Sequence, residues 1–189
     1  MLRPHAEGRY CQLFPLVGAD DLSFLYDLLL DPAVALDLHF QGATPSRDEF
    51  VSHAWDHVLA QWLIVSRRTG RRVGAFVVSS PDHRNGYAYV TVFGVAARRR
   101  TVILMEAAAV GVGHVFRTWP FRQLYAEMDE DRFQQVASGE GRYFSVDGRR
   151  REHVFLHDRY CDVYLLRVTR AHWEQQWEPV LSRFIARGS

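Results

Sequence analysis

The stretch from Phe144 to Trp173 constrains this chain most. Phe144-Ser-Val-Asp-Gly-Arg-Arg-Arg-Glu-His-Val-Phe-Leu-His-Asp-Arg-Tyr-Cys-Asp-Val-Tyr-Leu-Leu-Arg-Val-Thr-Arg-Ala-His-Trp173 reads as a two-stranded hairpin followed by a helix start. Working upstream, residues 124–129 form a further β-rich run, and residues 101–118 are a long apolar helix that Trp119-Pro120 terminates. Residues 62–67 and 73–79 are β-rich runs joined by the hairpin turn Arg68-Thr-Gly-Arg71, and Asn85-Gly86 turns the chain into a strand over 87–95.

Nearer the N-terminus, residues 9–17 alternate as a first strand. Asp20 and Asp21 then open a periodic apolar helix over 22–30, which Asp31-Pro32 ends. Ser46 with Glu49 three residues later forms a capping box for a second helix carrying Phe50, Ala54, Trp55 and Val58. Residues 35–43 are aperiodic. The order is therefore β-α-α-β-β-β-α-β-α-β-β-α, with seven strands and no internal repeat.

A chain of 189 residues suits one α/β domain spanning 1–189. Its hydrophobic share of 48% and charged share of 24% are those of a soluble globular protein. No apolar run approaches the roughly 20 residues that cross a bilayer, and the first residues lack a signal-peptide core, so the expected compartment is the cytoplasm. Cys11 and Cys161 lack the spacing of a zinc site or a disulfide framework. All 23 basic residues are Arg, yet the net charge is only +1, which argues against a generic polyanion-binding surface.

The C-terminal pattern resembles the GNAT (Gcn5-related N-acetyltransferase) superfamily, in the branch that includes the ribosomal-protein acetyltransferases. Arg151-Glu152-His153-Val154-Phe155, His157-Asp158-Arg159-Tyr160, Asp162-Val163-Tyr164 and Trp173 follow that branch's order and spacing. Leu124-Tyr-Ala-Glu-Met-Asp129 resembles its fifth strand, residues 133–139 its short fourth helix, Tyr143-Phe144 stands for its Gly-Phe, and Met105-Glu106-Ala107 for its Thr-Glu-Ala. The resemblance implies a GNAT fold: a central mixed seven-stranded sheet with strands four and five splayed, and helices on both faces.

One expected element is altered. The family's Arg-Gly-x-Gly-x-Gly loop offers bare backbone amides at a helix start to the donor's pyrophosphate, and glycine permits the close approach. In the same register stands Arg99-Arg100-Thr101-Val102-Ile103-Leu104, with Arg100, Val102 and Leu104 at the glycine positions. The cluster Arg98, Arg99 and Arg100, with Thr101, offers side-chain contacts to phosphate instead.

The resemblance further implies that the donor's arm lies along Phe93, Gly94 and Val95, with Gly94 marking a bulge or a close backbone approach. Arg132 falls where the family contacts that arm. Glu127 is the candidate general base, with Asp129 as the alternative, and Ser138 and Tyr143 are candidate acids for the leaving group. His39, Phe40, Trp55 and Tyr160 are candidate acceptor contacts. His53 and His57, spaced as one helical turn, could in principle hold a metal; the expectation is an exposed helix face and no metal.

The implied reaction is direct transfer of an acyl group to a primary amine of a small molecule or peptide, without a covalent enzyme intermediate. Acetyl-CoA or another acyl-CoA is the default co-substrate. The altered loop keeps two other donors open: charged tRNA, as in the Fem peptidyltransferases and the leucyl/phenylalanyl-tRNA-protein transferases, and an acyl carrier protein. A non-catalytic GNAT-like binding module and a homodimer remain among the expectations.

Overall fold

The computed structural model describes residues 3–31, 43–95, 102–156 and 158–179. Strands β1 (Ala6–Glu7), β2 (Cys11–Pro15), β3 (Val58–Ser66), β4 (Arg72–Asp82), β5 (Tyr87–Gly94), β6 (Gln123–Asp129), β7 (Ser145–Leu156) and β8 (Arg159–Thr169) form one sheet in the order β1-β2-β3-β4-β5-β6-β8-β7. Among these strands β5 and β6 pair in parallel, and every other neighbouring pair is antiparallel.

Strand alternation assigns the two faces. Trp62, Ile64, Phe76, Val78, Ala88 and Leu124 point to one side, where they pack with helix α3 (Val102–Thr118). Leu63, Ala75, Val77 and Phe93 point to the other, where they meet helices α1 (Ala19–Leu30) and α2 (Arg47–His53). Central strand β4 is buried on both faces, which explains its nearly unbroken apolar run. Gly111 lets α3 lie close to the sheet, since a Cβ there would stand 2.6 Å from the Phe76 ring.

Two expectations are corrected. Among the described residues the sheet has eight strands, not seven, because Ala6–Glu7 folds back on β2 with Ala6 opposite Leu13. Two residues are too few to show a periodicity, and tertiary contacts hold them. The Glu106 carboxylate, on α3, accepts hydrogen bonds from the backbone N–H groups of Arg9, Tyr10 and Cys11 at 2.7–3.0 Å. Burial, and then Glu106, push the Cys11 thiol well above its ordinary range.

The second correction concerns α2. Ser46 caps it as expected, its hydroxyl accepting the Glu49 N–H at 3.2 Å, but the helix ends at His53 and Val58 already begins β3. His57 adopts a left-handed φ of 57°, which turns the chain into the strand. His53 and His57 therefore do not share a helix face.

At the other end of the molecule, Thr169 caps the short helix α5 (Arg170–His172), and the π-helical turn Trp173–Trp177 follows. Arg170 donates to the carbonyls of Phe116, Trp119 and Phe121, tying α5 to the end of α3 and the start of β6. Trp173 packs on Phe116 in the α3-side core. Beside it, Trp62 Nε1 donates to His5 Nδ1 at 3.1 Å, and the His5 and His114 rings lie 5.7 Å apart.

Two stability tests follow from these contacts. Glu106→Ala leaves three backbone amides without their acceptor and is expected to cost about 2–4 kcal/mol in urea unfolding, with Glu106→Gln intermediate because one amide oxygen survives. Burial, then His5 and Arg117, hold His114 below its ordinary value of 6.5. The unfolded chain then binds the extra proton, so this contribution to stability is full above pH 6.5 and is lost as pH falls from there through the folded-state value. Denaturation midpoints across pH 7.5 to 5 should fall, and His114→Phe should flatten that fall.

Candidate acyl-transfer site

The parallel ladder between β5 and β6 has only three rungs: Tyr87 with Gln123, Ala88 with Leu124, and Tyr89 with Tyr125. Beyond them β5 runs on to Gly94 paired with β4, and β6 runs on to Asp129 paired with β8. The two strands thus part at Val90 and Ala126. The Val95 N–H donates to the Val73 carbonyl at 3.0 Å, so the alternate residues Val92 and Gly94 turn their N–H and C=O groups away from β4 and into the gap. Such an edge accepts an extended chain bearing amides of its own.

Among the residues named from sequence, Gly94 thus faces the gap with its backbone, whereas the backbones of Phe93 and Val95 serve β4. The Phe93 side chain is buried against α1 and α2. Gly94 sits in register opposite Gly74 without a bulge, and its glycine reflects close approach: a Cβ would stand 2.1 Å from Leu104 Cδ1. Val92 belongs with Gly94, and strand alternation alone would have found it.

At the last rung, on the face opposite α3, three tyrosines meet. The Tyr89 and Tyr125 ring centroids are 5.6 Å apart, and Tyr87 stands nearly edge-on to both at 6.4 and 5.8 Å. Gln123 Nε2 donates to the Tyr125 hydroxyl at 2.8 Å. The Tyr87 hydroxyl bonds to Asp82, whose carboxyl is held below its usual range first by the amides of Asn85. Burial and then the Glu127 carboxylate push the Tyr89 hydroxyl above its usual range, which keeps it protonated. The alternation Tyr87-Ala88-Tyr89 was the sequence signal for this cluster.

Glu127 lies two residues past Tyr125 on the same face, 23% exposed. Arg150 of β7 reaches across β8 to it, with Nη2 at 2.9 Å from Oε1 and Nη1 at 3.4 Å from Oε2. Arg150 stands opposite Val163 between two irregularities of β7, one between Val146 and Gly148 and one between Arg150 and Val154; at the second, Asp162 pairs with Arg149 and accepts the Glu152 N–H at 2.8 Å.

Asp129 has a structural task. Its side chain caps helix α4 (Glu130–Val136), accepting the Arg132 N–H at 3.0 Å, and its second oxygen lies 3.4 Å from Arg132 Nε. Arg132 is half-buried on the first turn of α4, where the gap opens, and desolvation lowers its pKa. Ser138 is exposed in the 3₁₀ turn Ala137–Gly139. Tyr143 packs edge-on to Trp177 at 5.1 Å, on the α3 side of the sheet, whereas Glu127 occupies the opposite side.

Trp55 follows α2 and is 46% exposed. Tyr160 is 66% exposed at the tip of the β7–β8 hairpin, where its ring meets Phe155 at 5.2 Å. The structure does not join either to the tyrosine cluster. His39, Phe40, Arg98, Arg99, Arg100 and Thr101 lie outside the described residues. No group of three or more potential metal ligands occurs among the described residues.

Solved structures superpose on this arrangement. A GCN5-related N-acetyltransferase from Brucella melitensis superposes with a TM-score of 0.67 at 19% identity, covering 89% of this chain and 80% of that one. The chain has the GNAT fold. The spermidine N-acetyltransferase from Vibrio cholerae in complex with CoA and spermine superposes with a TM-score of 0.74 at 14% identity, over 87% of this chain and 98% of that one. A probable GNAT-family acetyltransferase from Chromobacterium violaceum gives 0.69 at 17% identity, over 91% and 89%. No protein-family model and no curated protein matches the chain.

The geometry of Asp129 generates a prediction within this GNAT fold. Asp129→Ala should cost about 1 kcal/mol through the lost cap, and Asp129→Asn should keep most of that stability because Asn caps nearly as well. Chemical denaturation of both variants checks it.

Proposed function

We propose that the chain is an N-acyltransferase that moves an acyl group from a carrier thioester, acyl-CoA by default, to a primary amine. The observation that carries this reading is the three-rung ladder, with a rim of unpaired backbone on β5 and Glu127 beside its last rung. The extended arm of an acyl-CoA carries amides that suit the N–H and C=O groups of Val92 and Gly94, and the CoA-bound Vibrio cholerae neighbour supports the same choice.

The gap also lets one thioester meet both faces of the sheet. The acceptor ammonium, arriving on the tyrosine face, gives one proton to Glu127. Its nitrogen then attacks the thioester carbonyl carbon, an N–C bond forms and the C–S bond breaks. The leaving thiolate takes a proton from an acid on the α3 side, Tyr143 or Ser138, which the nitrogen's remaining excess proton restores. Arg150 contacts both oxygens of Glu127, so proton transfer requires the amine or a water to displace one of those contacts.

A second donor reading has one observation in its favour. Leu104, at one of the altered glycine positions, is buried against Gly94 in the α3-side core, and Val102, at another, is exposed and apolar. These residues offer no glycine cradle for pyrophosphate, which leaves aminoacyl-tRNA or a carrier protein as the alternative donor.

Glu127→Gln should slow acyl transfer by about a hundredfold while leaving donor affinity nearly unchanged, as expected when a general base is lost. Rates with acetyl-CoA, charged tRNA and an acylated carrier protein, alongside calorimetric CoA affinity, check this. Undiminished transfer in the variant removes Glu127 from the mechanism, and absence of transfer from all three donors favours a non-catalytic module.

A further inference from the structure

The tyrosine cluster has no task in the chemistry above, and its position suggests one. Tyr89 and Tyr125 form the last rung before the strands part, so their rings floor the approach to the point where an amine would enter the gap. Tyr125 is held by Gln123, Tyr87 by Asp82, and each ring contacts the other two. Rings held this way present faces of fixed orientation, which suit another flat ring and, through the negative π-face, a cation beside it.

The charge on this face selects further. Among the described residues, Glu127 is matched by Arg150, Asp129 lies 3.4 Å from Arg132 Nε, Asp147 lies 3.0 Å from Arg167, and Asp82 is engaged by Asn85. A polycationic acceptor needs several carboxylates whose charge is not already matched, because each ammonium that leaves water must be paired. One ammonium can be served by Glu127, in place of one of its two Arg150 contacts, together with the π-faces.

We propose that Tyr87, Tyr89 and Tyr125 form an acceptor subsite for a monocationic primary amine carried on an aromatic ring, seated over Tyr89 and Tyr125 with its ammonium toward Glu127. This rests on the acyl-transfer reading for the subsite's purpose but not for its binding, which is measured without a donor. The subsite distinguishes this chain's acceptor from the spermine in the structural neighbour.

The test is calorimetric and saturation-transfer NMR binding of 2-phenylethylamine and of spermidine to the full chain with no donor present. The expected result is ring-proton saturation of 2-phenylethylamine and an affinity at least tenfold above that for spermidine. Tyr125→Leu and Tyr89→Leu should each weaken 2-phenylethylamine at least fivefold, while Tyr89→Phe, which keeps the ring, should stay within twofold. Thermal melting identifies any Leu variant that fails to fold, in which case the ligand's protection of the Tyr rings in the parent spectrum replaces it.

Equal or tighter binding of spermidine, or unchanged 2-phenylethylamine affinity in a folded Leu variant, overturns the proposal. Binding as expected without transfer from any donor would overturn the acyl-transfer reading and leave the subsite standing. Transfer to spermidine with no binding of 2-phenylethylamine would do the reverse.

Discussion

Three parallel rungs between β5 and β6 are the constraint on which the rest of the structure depends. A parallel pair buried in mid-sheet ordinarily continues until one strand ends, because each unpaired buried amide carries a desolvation penalty. Here both strands continue, and each keeps its outer partner: β5 stays on β4 to Gly94, and β6 stays on β8 to Asp129. The sheet therefore holds together through its antiparallel ladders while its centre opens. Leu104 of α3 packs against Gly94 on one side of the opening and α4 begins at Asp129 on the other, so elements that follow the two strands line both rims.

The chemistry available at the opening follows from which residues alternate onto which face. Tyr89, Tyr125 and Glu127 share a face because they stand at matched or two-residue offsets on strands in register. Arg150 joins them because it stands opposite Val163 on that face, in the register between the two irregularities of β7, from where its guanidinium reaches across β8. A slip of one residue in that hairpin would turn Arg150 to the α3 side and leave Glu127 without its partner. The register of the β7–β8 hairpin and the site are thus linked.

Much of the fold was legible in the chain. Strand alternation, the Asn85-Gly86 turn, the Ser46 cap and the Trp119-Pro120 stop are local signals, and the structure places strands and helices where they indicate. The β-α-α-β-β-β-α-β-α-β-β-α order and the C-terminal pattern then led to the GNAT fold that the superpositions show. The alternating tyrosines of β5 are equally readable as strand, but alternation alone does not separate a surface cluster from core aromatics.

What the sequence by itself determined is whatever depends on neighbours a few residues apart: where strands and helices run, which side chains share a face, and where Gly must stand in a turn. What only the tertiary structure decided depends on contacts between distant segments. The two-residue strand β1 exists because Glu106, nearly a hundred residues later, receives the amides of residues 9–11. Asp129 caps α4 while Glu127 faces Arg150, a division of labour between two nearby carboxylates that spacing alone leaves open. The gap itself is of this second kind, because no property of β5 or β6 alone says how many rungs they share; that number is set by how β4, β8 and α3 hold them apart.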